Sequence, residues 1–443
     1  MAIDLSRGLI FHENWESVFD MCSPEVRETY ARLSITLGND VVTRVLDERS
    51  NSVRDEVLVS LYPLAMWFAA CWWRLRWEST PLERRQERPL SWRMSHELIA
   101  AGDGFAWPRL VFESDGESVV ISAHQSNDAA EPIHYLTRVE DTIPAADFEV
   151  QVDRLISLVV SRLDARGINN SELHDLWSEV REERNDPTST KLRRLEAELG
   201  FDPEEGPAEM MRRLEASSDT IGDAATDEVA SALAMQNSPT KALDELFAAT
   251  TQNGLVGRVE APLKRIARDM PTNEVAWKQG WDLARTARKV LAFGVDPIDD
   301  EKLASVFGIS AADLLDSGTA APPLGLGVRK GDGKDLELYF RSRGLLGRRV
   351  GRRFDAARFL ADAVYAPLED RWLPLTDSKT ARQKFQRAFA VEFLCPFESL
   401  KDKLAGAYSD EALDDAAEYF GVSFQAVRSL LANRGVISFE SGY

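Results

Sequence analysis

Apolar positions along this chain recur with two periods, and the helical one dominates. Between Phe148 and Leu163, the residues Val152, Leu155, Ile156, Val159 and Leu163 fall on one helix face. Trp277 to Leu291 predicts a second amphipathic helix, and Asp299-Asp300-Glu301 opens another with acidic residues suited to a helix N-terminus. Val57 to Trp73 is apolar on all sides, contains Pro63 and runs into Arg74 and Arg76. It falls short of the ~20 residues of a membrane span, so it predicts a buried helix over Leu64 to Leu75. Strand signals are fewer. Arg109-Leu110-Val111-Phe112 and Ser118-Val119-Val120-Ile121 flank Asp115-Gly116 and predict a hairpin, with His134 to Val139 as a third strand. The first 150 residues thus read as helices followed by a small sheet.

From 168 to 250 the pattern is helical and strongly charged, punctuated at Asp186-Pro187, Asp202-Pro203 and Gly206-Pro207. It predicts an interaction or spacer layer. Leu303 to Ser310 and Ala416 to Ser423 share one order: a helix, a Phe-Gly turn, an aliphatic residue and a serine N-cap. Both predict helix-turn-helix shapes. Asp316 to Gly327, rich in small residues and proline, reads as a linker, and Leu336 to Phe340 as a strand. The expected organisation is a helical and small-sheet domain (1–165), a charged helical region (166–255), a helix-turn-helix-like unit (256–318) and a C-terminal module (319–443). The fold class is α+β, mainly helical and multidomain.

Length and composition narrow the function classes. A chain of 443 residues with 44% hydrophobic residues and 11 Trp buries more than one core. A net charge of -20 argues against a general nucleic-acid coat. The three cysteines (Cys22, Cys71 and Cys395) have neither disulfide nor metal spacing, which fits a reducing cytoplasm. Met1-Ala2-Ile3-Asp4 opens no secretory signal pattern. No membrane association is expected.

Arg353-Phe354-Asp355-Ala356-Ala357-Arg358-Phe359-Leu360-Ala361-Asp362 is followed, some thirty residues on, by Phe389-Ala390-Val391-Glu392-Phe393-Leu394-Cys395-Pro396. Together these segments resemble the ImmA/IrrE family of zinc metallopeptidases, whose members carry R-F-x-x-A-H-E-x-x-H and then F-A-A-x-L-L-x-P. The resemblance covers roughly residues 320–443 and implies a zincin-like module. In the active family two histidines bind zinc, the intervening glutamate activates water, and an acidic residue from a later helix completes the site. Those positions correspond here to Arg358, Phe359 and Asp362, with the later ligand at Gln383 or Phe385. Arginine offers no lone pair and phenylalanine no base, so the resemblance implies a degenerate site with no zinc and no other cofactor. Arg358 and Asp362, at i and i+4, predict a helix-face ion pair of about 0.3–0.5 kcal/mol. No histidine follows His174. Ser95-His96-Glu97-Leu98-Ile99-Ala100 begins like H-E-x-x-H but has Ala100 in place of the second histidine.

Residues 329–358 hold ten basic side chains, Arg341, Arg343, Arg348, Arg349, Arg352 and Arg353 among them, against Asp332, Asp335, Glu337 and Asp355. Such an island suits phosphates or an acidic partner surface, or else is an internally paired face. The helix after Ser423 offers Gln425, Arg428 and Arg434 as candidate base contacts. Leu324-Gly325-Leu326-Gly327 lacks the phosphate-loop pattern. The resemblance implies a catalytically silent regulatory or scaffolding binder of a protein partner, in stress or mobile-element control. Two alternatives stay open: an active zinc endopeptidase, and a DNA-binding regulator acting through 329–358.

Overall fold

A computed structural model describes residues 8–18, 23–80, 88–126, 131–259, 263, 275–316, 322–331, 335–341 and 348–438. It is mixed α+β with more helix than strand, and its contacts divide the chain into two units, Met1–Met211 and Arg212–Tyr443.

The first unit opens on strands, not on the helices the pattern predicted. β1 (Leu9–Trp15) pairs antiparallel with β2 (Tyr30–Leu37), which also holds β3 (Asp40–Val41) and β6 (Val57–Ser60). In β2 the alternation is clean: Ala31, Leu33, Ile35 and Leu37 are buried. A short helix, α1 (Pro24–Glu28), separates β1 from β2. Two small strands, β4 (Val45–Asp47) and β5 (Ser52–Arg54), pair beside that sheet. The apolar run is buried as expected but splits at Cys71 into α2 (Leu61–Ala70) and α3 (Trp72–Trp77). After α4 (Leu90–His96) comes the predicted hairpin, β7 (Arg109–Ser114) and β8 (Ser118–His124). Its turn is held by the Asp115 carboxylate, which accepts from the backbone N–H of Glu117 and Ser118. The predicted third strand divides in two. β9 (Ile133–Tyr135) joins β4, while β10 (Val139–Pro144) completes the hairpin sheet on β8. α5 (Ala145–Ala165) buries the five-residue face read from periodicity, and α6 (Glu172–Asn185) and α7 (Pro187–Glu198) close the unit with Leu173, Trp177, Val180 and Ala197 in the same core.

The division between the two units falls after Met211, away from the boundaries expected at 165/166 and 318/319. Residues 166–198 share a core with the first 165. The chain passes to the second unit within α8 (Ala208–Ile221), followed by α9 (Asp223–Leu233) and α10 (Pro239–Ala249). One cluster then joins Leu283, Ala284, Leu303 and Phe307 to Phe359, Phe389 and Leu430, so 256–318 and 319–443 are one body.

The sheet of this unit runs β11 (Leu255–Arg258), β13 (Asp335–Tyr339), β12 (Gly325–Lys330), β14 (Trp372–Leu375), all antiparallel. β12 occupies what read as the end of a linker. Its glycines suit close packing, since a Cβ on Gly327 would lie 3.3 Å from both Leu373 and Phe359. Pro374 disguised β14, and it is tolerated because that strand is an edge. Against the sheet lie α11 (Ala276–Val290), α12 (Asp300–Ser305), α13 (Ala311–Leu315), α14 (Arg348–Tyr365) and α15 (Ala381–Leu394). Then come α16 (Phe397–Leu404), α17 (Asp410–Phe420) and α18 (Phe424–Asn433). Gly421, left-handed at φ 65°, ends α17, and Ser423 caps α18, as the Phe-Gly-aliphatic-Ser order predicted.

α11 meets α15 at Gly280, where an added Cβ would sit 2.5 Å from the Phe385 carbonyl oxygen and 3.1 Å from the Ala388 Cβ. Gly280→Ala forces two helix backbones apart. It is expected to destabilise the second unit by about 1–3 kcal/mol, read as a lower urea midpoint at unchanged slope.

Candidate functional site

The helix that holds Arg358, Phe359 and Asp362 carries a buried network of charges and amides. Arg358 and Asp362 lie one turn apart on α14, facing α15 and β14, and both are buried. Phe359 points to the opposite side and meets the Phe340 ring edge-on at 5.4 Å, in the core. Arg358 Nη2 donates to the Thr376 carbonyl at 2.9 Å, to Gln383 Oε1, and to Gln386 Oε1 at 3.3 Å. Gln383 is fully buried. Its Oε1 also accepts from the Thr376 N–H at 3.0 Å, and its Nε2 donates to Pro374 O at 2.9 Å and Glu228 Oε2 at 2.8 Å. Of the two positions expected for the later ligand, Gln383 faces Arg358, while Phe385 stacks on Tyr365 at 4.2 Å.

The expected Arg358–Asp362 ion pair is not what forms. Asp362 is claimed by Arg382, whose Nε lies 2.9 and 3.2 Å and Nη2 2.7 Å from its oxygens. Arg382 Nη1 reaches Asp370 at 2.7 Å as well. The two-toothed grip of a guanidinium from the facing helix outcompetes a pair along one helix. Arg358 has Asp355 for its nearest carboxylate, at 3.9 Å.

Burial sets the electrostatics. It raises the Glu228 pKa above the ordinary glutamate range, with Arg382 opposing. It raises that of Asp370 too, again against Arg382. Glu228 went unnoticed as a site residue because it sits in a charged region. Its local signal is slight: the small and apolar run Val229-Ala230-Ser231-Ala232-Leu233 follows it, but Asp223 and Asp227 share its helix.

This donor set does not fit zinc. Arg358 has no lone pair, Phe359 lies in the core, and the oxygens of Asp362 and Gln383 already accept from guanidiniums. Among the described residues no group of three or more His, Cys, Asp and Glu is placed to hold a metal. The H-E pair at 96–97 falls at a helix end: α4 stops at His96 and Glu97 is extended. His96 is buried, stacked on Trp92 at 4.2 Å, with Nδ1 2.8 Å from the Trp92 carbonyl oxygen, and burial lowers its pKa. Cys71 is buried and its pKa is pushed up to about 12, so it is no nucleophile. Cys395 is buried likewise, while Cys22 lies outside the described residues.

Most of the basic island is internally engaged. Arg329 caps the end of α14, donating to Ala366 O at 3.1 Å and Ala363 O at 3.3 Å. Arg341 pairs with Asp377 at 2.6 Å, Arg349 with Asp300 at 2.7 Å, and Lys330 with Glu337 at 2.5 Å. Arg353 pairs with Asp300 and donates to Gly421 O at 3.0 Å, stitching α17 to α12. Arg352 covers the Phe340 ring at 4.3 Å. Arg343 lies outside the described residues, as does the side chain of Arg348. In the second helix-turn-helix shape Gln425 is exposed and Arg428 half-buried. Arg434, however, packs on Trp281 at 3.6 Å and pairs with Glu392 at 3.2 Å. The first such shape has a second helix, α13, of only 5 residues. No helix among the described residues is long and apolar enough to cross a membrane.

Compared with known proteins, the chain matches no family model, no curated protein and no solved structure.

Two outcomes follow from the network. Arg382→Leu leaves Asp362 and Asp370 buried without their cation and is expected to cost about 3–5 kcal/mol in denaturant unfolding. Glu228 has a raised folded-state pKa, so its contribution to stability is present at acid pH and is lost as pH rises through that pKa. Relative to wild type, Glu228→Gln should therefore gain stability as pH is raised above the ordinary glutamate range. A pH-independent difference between the two proteins would contradict this.

Proposed function

We propose that residues 319–443 form an ImmA/IrrE-like, peptidase-derived module that holds a protein partner rather than cutting one. One observation carries the reading: the residues at the family's ligand positions are committed to structural contacts. Arg358 is bonded to Gln383, Asp362 to Arg382, and Phe359 to the core. A frame that keeps its helices while its ligands become buried structural contacts has use for its shape and not for its chemistry. The resemblance then places the role in regulation or scaffolding, within stress or mobile-element control, and the sparse cysteines suit a cytoplasmic setting.

The rival readings find less support. An endopeptidase needs a metal-activated water, and Arg358 puts a guanidinium in the first histidine's place. A DNA-binding regulator needs uncommitted cations. Among the described residues Arg341, Arg349 and Arg353 are each paired.

Metal analysis of the purified full chain tests the proposal. Zinc well below one per chain is expected, with no proteolysis that chelation abolishes. Stoichiometric zinc together with chelator-sensitive cleavage would sink it. Proteins encoded beside this one are the first partners to test, by co-migration in size-exclusion chromatography.

A further inference from the structure

Three guanidinium groups converge on the turn Thr376-Asp377-Ser378, between β14 and α15. Arg358 Nη2 and Arg387 Nη1 donate to the same acceptor, the Thr376 carbonyl, at 2.9 and 3.4 Å. Arg387 Nη2 donates to the Ser378 carbonyl at 2.8 Å, and Arg341 Nη1 binds Asp377 Oδ2 at 2.6 Å. Three carboxylates act on these guanidiniums: Asp377, hydrogen-bonded to Arg341, Asp355, 3.9 Å from Arg358, and Glu228, whose charge reaches Arg387. The hydrogen bonds of Arg387 go to carbonyl oxygens, and none goes to a carboxylate.

A second observation lies in the same turn. The Ser378 side chain is fully buried, and its Oγ has no hydrogen-bond partner among the described residues. Buried hydroxyls are almost always bonded, so one without a partner calls for a ligand or a water. The charge pattern points the same way. Burial, and then the like charge of Arg358, lower the Arg387 pKa. An anion here would separate two neighbouring guanidiniums and satisfy the hydroxyl. Arg341 and Arg387 are partly exposed, while Arg358 and Ser378 are buried. The turn also leads into α15, a helix of 14 residues whose positive end favours negative charge.

We propose that the turn Thr376–Ser378 is a binding site for a phosphoryl oxyanion, held by Arg341, Arg358, Arg387 and the Ser378 hydroxyl. Three guanidiniums arriving from separate elements match the several oxygens of a tetrahedral phosphoryl group better than the two coplanar oxygens of a carboxylate. This inference stands apart from the partner-binding reading, since it rests on the turn and not on the lost ligands.

The test is thermal unfolding of the full chain in inorganic phosphate, against sodium chloride at matched ionic strength. Phosphate should raise the melting temperature saturably. Arg387→Met and Ser378→Ala should each weaken the apparent affinity, Arg387→Met by about tenfold or more. Arg349→Gln, whose partner is Asp300, should keep it. If Arg387→Met fails to give a native circular-dichroism spectrum, Ser378→Ala and the partly exposed Arg341→Gln carry the comparison. O-phosphoserine run in parallel separates the sources: binding as tight as phosphate indicates a monoester, and binding of phosphate alone indicates the free ion. The proposal is overturned if wild type shows no saturable phosphate-specific shift, or if the shift persists unchanged in the Arg387 and Ser378 variants. Neither result touches the zinc measurement, so the two readings can fail separately.

Discussion

The second unit depends on how it buries charge between α14 and α15. Removing a guanidinium from water is expensive, and the expense is met only where every donor finds an acceptor. Arg382 meets it with Asp362 and Asp370, and Arg358 in part, its Nη2 donating to Gln383, Gln386 and a carbonyl. Because these partners come from different elements, the network sets the register of two helices and an edge strand at once. Hydrophobic packing around it, from Phe359 to Phe389, is permissive by comparison.

The same constraint links fold to function. The amide of Gln383 and the carbonyl of Thr376 turn toward Arg358. Asp362 goes to Arg382. Together these contacts make a structural knot. The place where the charge pattern stays incomplete is next door, at the turn where Arg387 finds carbonyls in place of a carboxylate.

Charge counting along the sequence leaves the 329–358 island open between a surface for a polyanion and an internally paired face. In space Arg329 closes a helix end, Arg353 joins α12 to α17, and Arg341 answers Asp377, 36 residues away. A linear count cannot see acceptors distant in sequence, least of all backbone carbonyls, which carry no formal charge.

Local physics made much of the fold legible. Periodicity marked the buried face of α5, Asp115-Gly116 the hairpin, and the Phe-Gly-aliphatic-Ser order the α17–α18 turn, because each is decided by neighbours within a few residues. The sequence alone also determined that Arg358 and Phe359 bring no metal ligand. Tertiary structure decided the rest. It made a strand of Gly325–Lys330, whose first glycines read as the end of a linker, and paired it with Trp372–Leu375, which carries no strand signal of its own. It merged four expected segments into two units, since an apolar face is assigned only when its cover is known. It also gave Asp362 to Arg382 and brought Glu228 to Gln383 across 155 residues, pairings set by three-dimensional proximity that no spacing along the chain encodes.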